Sequence, residues 1–303
     1  MNVAWLDWSN PVAIWWGSLI AVSAANVAAL LALAWRFRSN LFARRTVLLV
    51  EPLLLLAAAY VLGCAFRSVL PRADVQRICL FDTPLSSVMV GRSVATVAEL
   101  AFAAQWAIVL YALGKVAHSD TAKNVAKAIL PLIALAECCS WYAVITTDFL
   151  GNVLENSLWT LTFLLIGVAL SRLVIRFHGI VQFAIAAAAA GIAGYVVFMA
   201  TVDVPMYFGR WQADVATHKD YLGLIAGLHD LATRWVVTHD IGPWRDEIAW
   251  MTLYFSMAVW ASLMLAAFSL VRHLLPRYRV RVPLIRPTRR PVAVPVRSSP
   301  GLR

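Results

Sequence analysis

The sequence predicts an all-α protein, a polytopic membrane helical bundle of about seven transmembrane helices with the N-terminus out and the C-terminus in. Three observations predict it. Hydrophobic residues fill 61% of the 303 positions and charged residues only 14%, against roughly 45–50% apolar in a soluble domain. Seven apolar stretches come close to or exceed the ~20 residues needed to cross a hydrocarbon core roughly 30 Å thick. Lys and Arg are also distributed unevenly among the connecting segments, and that bias sets orientation.

The first stretch, 11–35, has no basic residue before it and is too long for a signal-peptide core, so it is expected to stay in the mature chain. Arg36, Arg38, Arg44 and Arg45 follow it and assign that loop to the cytoplasm. The second stretch, 46–66, contains Glu51 next to Pro52, which removes a backbone hydrogen bond and is expected to kink the helix. Beyond it lie Arg67, Arg72, Arg77 and Arg92 with only Asp74 and Asp82, an excess of positive charge on the expected outer side. The assignment is kept because its reverse would place the Arg-rich C-terminal tail outside.

The third stretch, 94–114, carries Glu99, Gln105 and Trp106; Gln105 falls on another face and is expected to bond a neighbouring helix. Lys115, Lys123 and Lys127 mark its cytoplasmic end. The fourth and fifth stretches, 125–147 and 157–175, are joined only by 148–156 and should form an antiparallel hairpin, with Arg172 and Arg176 at its cytoplasmic end. The sixth, 179–203, has a run of small residues from Ala184 to Gly194. There Ala187 with Gly191 and Ala190 with Gly194 have the spacing of closely packed helix faces.

Pro205 is expected to stop this span and open an outer insertion, 204–246. Within it Leu224, Leu228, Leu231 and Trp235 recur at helical spacing opposite His229, Asp230, Thr233 and Arg234, which predicts an amphipathic helix lying in the interface or capping the bundle. The seventh stretch, 247–271, completes a membrane domain spanning 1–271.

Residues 272–303 form a Pro/Arg-rich tail with no acidic residue, its distal part expected to be disordered. Arg272, Arg277, Arg279 and Arg281 are placed to meet anionic headgroups at around 1 kcal/mol per residue. No nucleic-acid fold accompanies this charge, so the bilayer is the expected partner. Cys64 and Cys79 fall on the outer side, where they either form a disulfide or remain two thiols. Cys138 and Cys139 are expected to be buried and inert.

Chemistry is sought where burial of charge needs a reason. A charged side chain at bilayer depth costs roughly 2.5–3.5 kcal/mol on insertion scales. Glu137 sits mid-way along its stretch, with the Lys and Arg residues at or beyond the ends of the apolar stretches, so no cation is expected beside it. Ser140, Trp141 and Asp148 follow on its helical face, a stripe rising to the outer loop that holds Asn152, Glu155 and Asn156. Glu99 lies about 10 Å below the outer end of span three by helix rise, facing the same half of the membrane as Glu137 or its centre, and Glu247, Trp250 and Tyr254 line one face of span seven. Glu51 lies nearer the cytoplasm and is not expected to join them.

No metal site is predicted. His229 with Asp230 comes nearest to one, but no His-x-x-x-His or Cys-x-x-Cys spacing occurs. No cofactor is predicted either: no His lies in any span for haem and no Lys in span seven for a Schiff base. The expected function is binding or transport of a small cationic or proton-coupled solute in an outward-facing polar pocket around Glu137 and Glu99. An outer-leaflet enzyme acting on a lipid or lipid-linked substrate and a non-catalytic assembly or scaffold protein are the alternatives. The expected location is a plasma or bacterial inner membrane, and neither substrate nor oligomeric state is legible.

Overall fold

A computed structural model describes residue 7 and residues 9–41 and 50–271. The tail arginines Arg272, Arg277, Arg279 and Arg281 lie outside the described residues. Among the described residues seven helices are long and apolar enough to cross a membrane, so the chain is an all-α, multi-pass integral membrane protein.

Helix α1 (Pro11–Leu41) is followed by α2 (Val50–Val69), α3 (Val88–Val116), α4 (Asp120–Thr146) and α5 (Phe149–Val174) in up-and-down order. Helix α6 (Gly179–Phe198) continues through a π-turn (Met199–Asp203) into α7 (Val204–Ala216). A short helix α8 (Leu224–Thr233) precedes the last span, made of α9 (Ile241–Leu253), a second π-turn (Tyr254–Ala258) and α10 (Val259–Val271). The segments 70–87 and 217–240 and the α4–α5 turn lie at one end of the bundle, here called the cap. The opposite end is the base.

Pro205 does not stop span six. The helical path runs unbroken over Gly179–Ala216, 38 residues, or about 57 Å at 1.5 Å per residue. That is far more than a bilayer core, so α7 stands beyond it as a wall of the cap. Proline is tolerated because it occupies the start of α7, just after a π-turn that has already displaced the regular hydrogen-bond ladder. Pro52 is likewise harmless in the first turn of α2, where no amide donor is required; of the Glu51 side chain nothing is described.

The insertion is tied to the 70–87 segment by a small sheet. Strands β1 (Arg72–Ala73) and β2 (Ile78–Cys79) pair antiparallel, and β3 (Val236–Val237) joins β2 in parallel register, Ile78 opposite Val236. The expected amphipathic helix is α8, and it caps the bundle. Leu231 is fully buried, and Gly227 lies so close to the Ile145 carbonyl that a Cβ there would collide with it. Leu224, Ile225 and Leu228 face outward, and Trp235 falls beyond the helix, its indole donating to Asp82.

Two expectations about packing are corrected. Ala187, Ala190, Gly191 and Gly194 are exposed rather than clasped by a neighbour, because α6 turns Ile185 and Ile192 inward instead. Cys138 is exposed and Cys139 half-buried, since the inward face of α4 at this level belongs to Glu137 and Ser140. Cys64 and Cys79 are two separate buried thiols. Gln105 bonds across helices as expected, donating to the carbonyls of Leu53 and Ser262 and accepting from the Ser262 hydroxyl at 2.6 Å.

A buried arginine with three carboxylates

Local capping decides where the site forms. Ser87 caps α3 by accepting from the Val90 amide, and it follows a 3-10 turn begun by Pro84. The helix therefore starts at Val88 and carries Arg92 inside it. At the same level α4 ends on Thr147 in the left-handed conformation (φ 62°), and Asp148 caps α5 by accepting from the Leu150 amide at 2.9 Å. A two-residue turn thus replaces the expected loop 148–156, and Asn152 and Glu155 belong to the first two turns of a buried helix. Gly151 allows α4 and α5 to meet closely: a Cβ at that position would stand 2.6 Å from the Cys139 carbonyl oxygen and 2.7 Å from the Ala143 Cβ.

These three helix ends bring four ionisable groups together. Arg92 donates from Nη2 to Glu99 Oε2 at 2.8 Å and to Glu137 Oε2 at 3.0 Å, and Nη1 stands 3.5 Å from Glu155 Oε1. All four residues are buried. The expectation that Glu137 has no cation beside it is therefore wrong. Arg92 lies only two positions before the third apolar stretch, and a helix that begins earlier carries it down among the acids.

Glu137 Oε2 also accepts from the Thr96 hydroxyl at 2.6 Å, and that hydroxyl in turn accepts from the Trp141 indole at 3.1 Å. Tyr254 donates to Glu99 Oε1 at 3.0 Å, and the Asn152 amide donates to Glu155 Oε2 at 3.1 Å. One carboxylate oxygen from each of Glu99, Glu137 and Glu155 lies within 4.8 Å of the others. Four buried polar atoms at this level have no hydrogen-bond partner: Arg92 Nε, Glu137 Oε1, Ser140 Oγ and Asn152 Oδ1. Helix rise places Glu155, Glu137 and Glu99 roughly 9, 14 and 17 Å below the cap ends of their helices, so the cluster sits in the cap half of the membrane. Below it Tyr60 stacks on Phe102 (4.6 Å between centroids), and Phe163 packs against Phe102, Trp106, Trp159 and Tyr195, forming an aromatic floor.

Above the cluster, Arg67 and Arg72 both face Asp74, at 3.7 and 2.9 Å, and Arg72 Nη1 donates to the Ser87 carbonyl. The Arg72 guanidinium occupies the space a side chain at Gly91 would need. Burial pushes Arg72 down to about 10, with Asp74 opposing. Burial works to raise Asp74, but the guanidiniums of Arg67, Arg72, Arg92 and Arg77 outweigh it and hold the carboxyl below its ordinary value. Arg77 is buried on Asp230 (2.8 Å) and on the carbonyls of Asp74 and Val144.

A second polar centre lies under a cleft of about 370 Å³ bordered by Gln76, Phe149, Arg210, Asp214 and Asp246. Beneath it Glu247 accepts from Gln76 (2.8 Å), Arg210 (3.0 Å) and the Trp250 indole (2.6 Å). Asp203, at the end of the first π-turn, is buried. Trp250 and Tyr254 follow Glu247 at one and two turns along one face, so a polar line runs from the cleft down to Glu99.

Of the residues picked from the sequence, Glu99, Glu137, Ser140, Trp141 and Tyr254 meet in one cluster, and Glu247 forms the neighbouring centre. Asp148 does not join: the left-handed Thr147 turns the chain away from the α4 stripe, leaving Asp148 to cap α5 and accept from Tyr142. Asp230 is held by Arg77 and Arg234, and exposed His229 contacts Thr233. Hydropathy alone leaves Arg92 out of the site and sets Glu155 in a loop. Both stand two positions outside an apolar window, on the same helical face as a buried acid or amide. Comparison with protein-family models, curated proteins and solved structures finds no match.

Proposed function

We propose that this membrane protein binds a small cationic solute at the Arg92–Glu99–Glu137–Glu155 cluster and carries or senses it across the bilayer. The observation that carries this reading is the charge count. Three buried carboxylates share one buried guanidinium within 3.5 Å, leaving a formal excess of negative charge in a low-dielectric setting that favours a bound cation. The line from the cleft through Glu247, Trp250 and Tyr254 supports entry from the cap side.

The cap is taken as the outer side and the base as cytoplasmic. Arg67, Arg72, Arg77 and Arg92, which oppose that orientation by simple counting, are buried in ion pairs and do not act as free loop charges. At the base, Lys115, Lys127 and Arg172 are exposed, as the positive-inside bias requires. A plasma or bacterial inner membrane suits this arrangement, with the tail arginines on anionic lipid.

The test is uptake into liposomes of the full chain, using a panel of inorganic cations and methylammonium with a pH-sensitive dye inside. Saturable flux or binding is expected in the wild type and is lost in Glu137→Gln, whose thermal midpoint in detergent is unchanged within a few degrees. Uptake equal to wild type in Glu137→Gln overturns the reading. Dye response without solute flux assigns the site to protons alone. A scaffold reading has one favouring observation, that Arg92 cross-links α3, α4 and α5. It predicts that Glu137→Gln lowers stability with no transport or binding to lose.

A further inference from the structure

Resting on the reading above, we infer that the ligand of this cluster is a bare, hard divalent metal cation of Ca²⁺ size, coordinated by Glu99, Glu137, Glu155, Ser140 and Asn152.

The first observation is spacing. Three carboxylate oxygens, one from each glutamate, lie within 4.8 Å of one another. Points so spaced can all lie within about 2.8 Å of a common centre, which admits the 2.3–2.6 Å of calcium–oxygen bonds, and a buried all-protein set of oxygens suits Ca²⁺ better than Mg²⁺, which usually keeps several of its waters. The second is independent of the acids. Ser140 is wholly buried and its Oγ has no partner, and Asn152 is 9% exposed with Oδ1 unpartnered. Ser140 lies one turn from Glu137 on the inward face of α4, and the Asn152 amide is anchored at the cluster by its bond to Glu155 Oε2. Glu137 Oε1 is unpartnered as well.

Nearly every orphaned atom here is an oxygen, and an orphaned buried oxygen costs about 1–3 kcal/mol. The ligand that relieves several at once is one that only accepts lone pairs. The third observation is charge. The three carboxylates and Arg92 sum formally to −2, the complement of one divalent ion. Arg92 engages Oε2 of Glu99 and Glu137; Glu137 Oε1 has no partner, and Glu99 Oε1 accepts only from the Tyr254 hydroxyl. Neutral oxygens from Ser and Asn beside carboxylates are the donor set of hard cations, whereas softer metals favour sulfur or imidazole.

The test is calorimetric titration of the full chain in nanodiscs with CaCl₂ alone, MgCl₂ alone and NaCl alone, paired with thermal midpoints. Ca²⁺ is expected to bind one per chain and raise the midpoint by several degrees, with Mg²⁺ at least tenfold weaker. Ser140→Ala, which leaves every carboxylate in place, is expected to weaken Ca²⁺ at least threefold with the metal-free midpoint within a few degrees of wild type. Asn152→Asp, nearly isosteric, is expected to tighten it, and Glu155→Gln to weaken it at least tenfold. Absence of Ca²⁺ binding to the wild type, or binding unchanged in both Ser140→Ala and Glu155→Gln, overturns the inference. If Ca²⁺ fails while Glu137-dependent uptake of another cation persists, the metal assignment falls and the cationic-solute reading stands.

Discussion

Replacing Arg92 with methionine tests whether the cluster is held together by that one cation. The side chain is 7% exposed and makes its three carboxylate contacts at 2.8, 3.0 and 3.5 Å. At an effective dielectric near 20, each contact carries roughly 5–6 kcal/mol of attraction, much of it offset by the several kcal/mol that burying the guanidinium costs. Methionine fills a similar volume but removes the charge, leaving three carboxylates whose nearest oxygens lie within 4.8 Å of one another. Breaking a buried pair from one side costs about 3–5 kcal/mol. The assay is equilibrium unfolding in mixed micelles of rising SDS fraction, followed by tryptophan fluorescence. Adding Glu137→Gln to Arg92→Met removes one of the stranded charges, so the double variant should be more stable than the single by at least about 1 kcal/mol, well outside additivity. A single variant within about 0.5 kcal/mol of wild type, or a double variant that merely sums two losses, would refute the reasoning.

Gly91→Ala should cost about 1–3 kcal/mol, because its Cβ claims the place of the Arg72 guanidinium; limited proteolysis of the 70–87 segment reports it. Gly227→Ala should release α8 from the Ile145 carbonyl and speed amide exchange in Leu224–Thr233, with the exchange of α3 to α5 unchanged. Asp74, whose folded value is depressed by its arginines, contributes stability that is present above the unfolded Asp value of about 3.9 and is lost as pH falls through the lower folded value. Asp74→Asn should therefore be less stable than wild type at pH 7, and the gap should shrink below about pH 4. Titration of thiols after denaturation without reductant should give four per chain, two of them Cys64 and Cys79.

The seven spans, the hairpin of α4 and α5, the cap helix and the role of Gln105 were legible because each depends on local periodicity and on apolar length. The site was legible only in part, and for a consistent reason. An apolar window ends at the first polar residue it meets, whereas a helix ends where its caps fall. Arg92 follows Ser87 by five positions and Glu155 follows Asp148 by seven, so capping places both inside helices that hydropathy had already closed. Asp148 shows the converse: it lay on the right stripe by counting, but the left-handed Thr147 took it out of the register.

By itself the sequence determined that this chain crosses a membrane and that Glu99, Glu137 and Tyr254 sit in its polar half. Bilayer thickness and the cost of buried charge act on each segment separately. Only the tertiary structure decided that Glu137 has a cation, that the acid from α5 completes a trio, and that Ser140 and Asn152 bring unpaired oxygens to it. Those facts depend on where three helix ends meet, and the closeness of that meeting rests on Gly151, which lets α4 and α5 come together without a side chain between them.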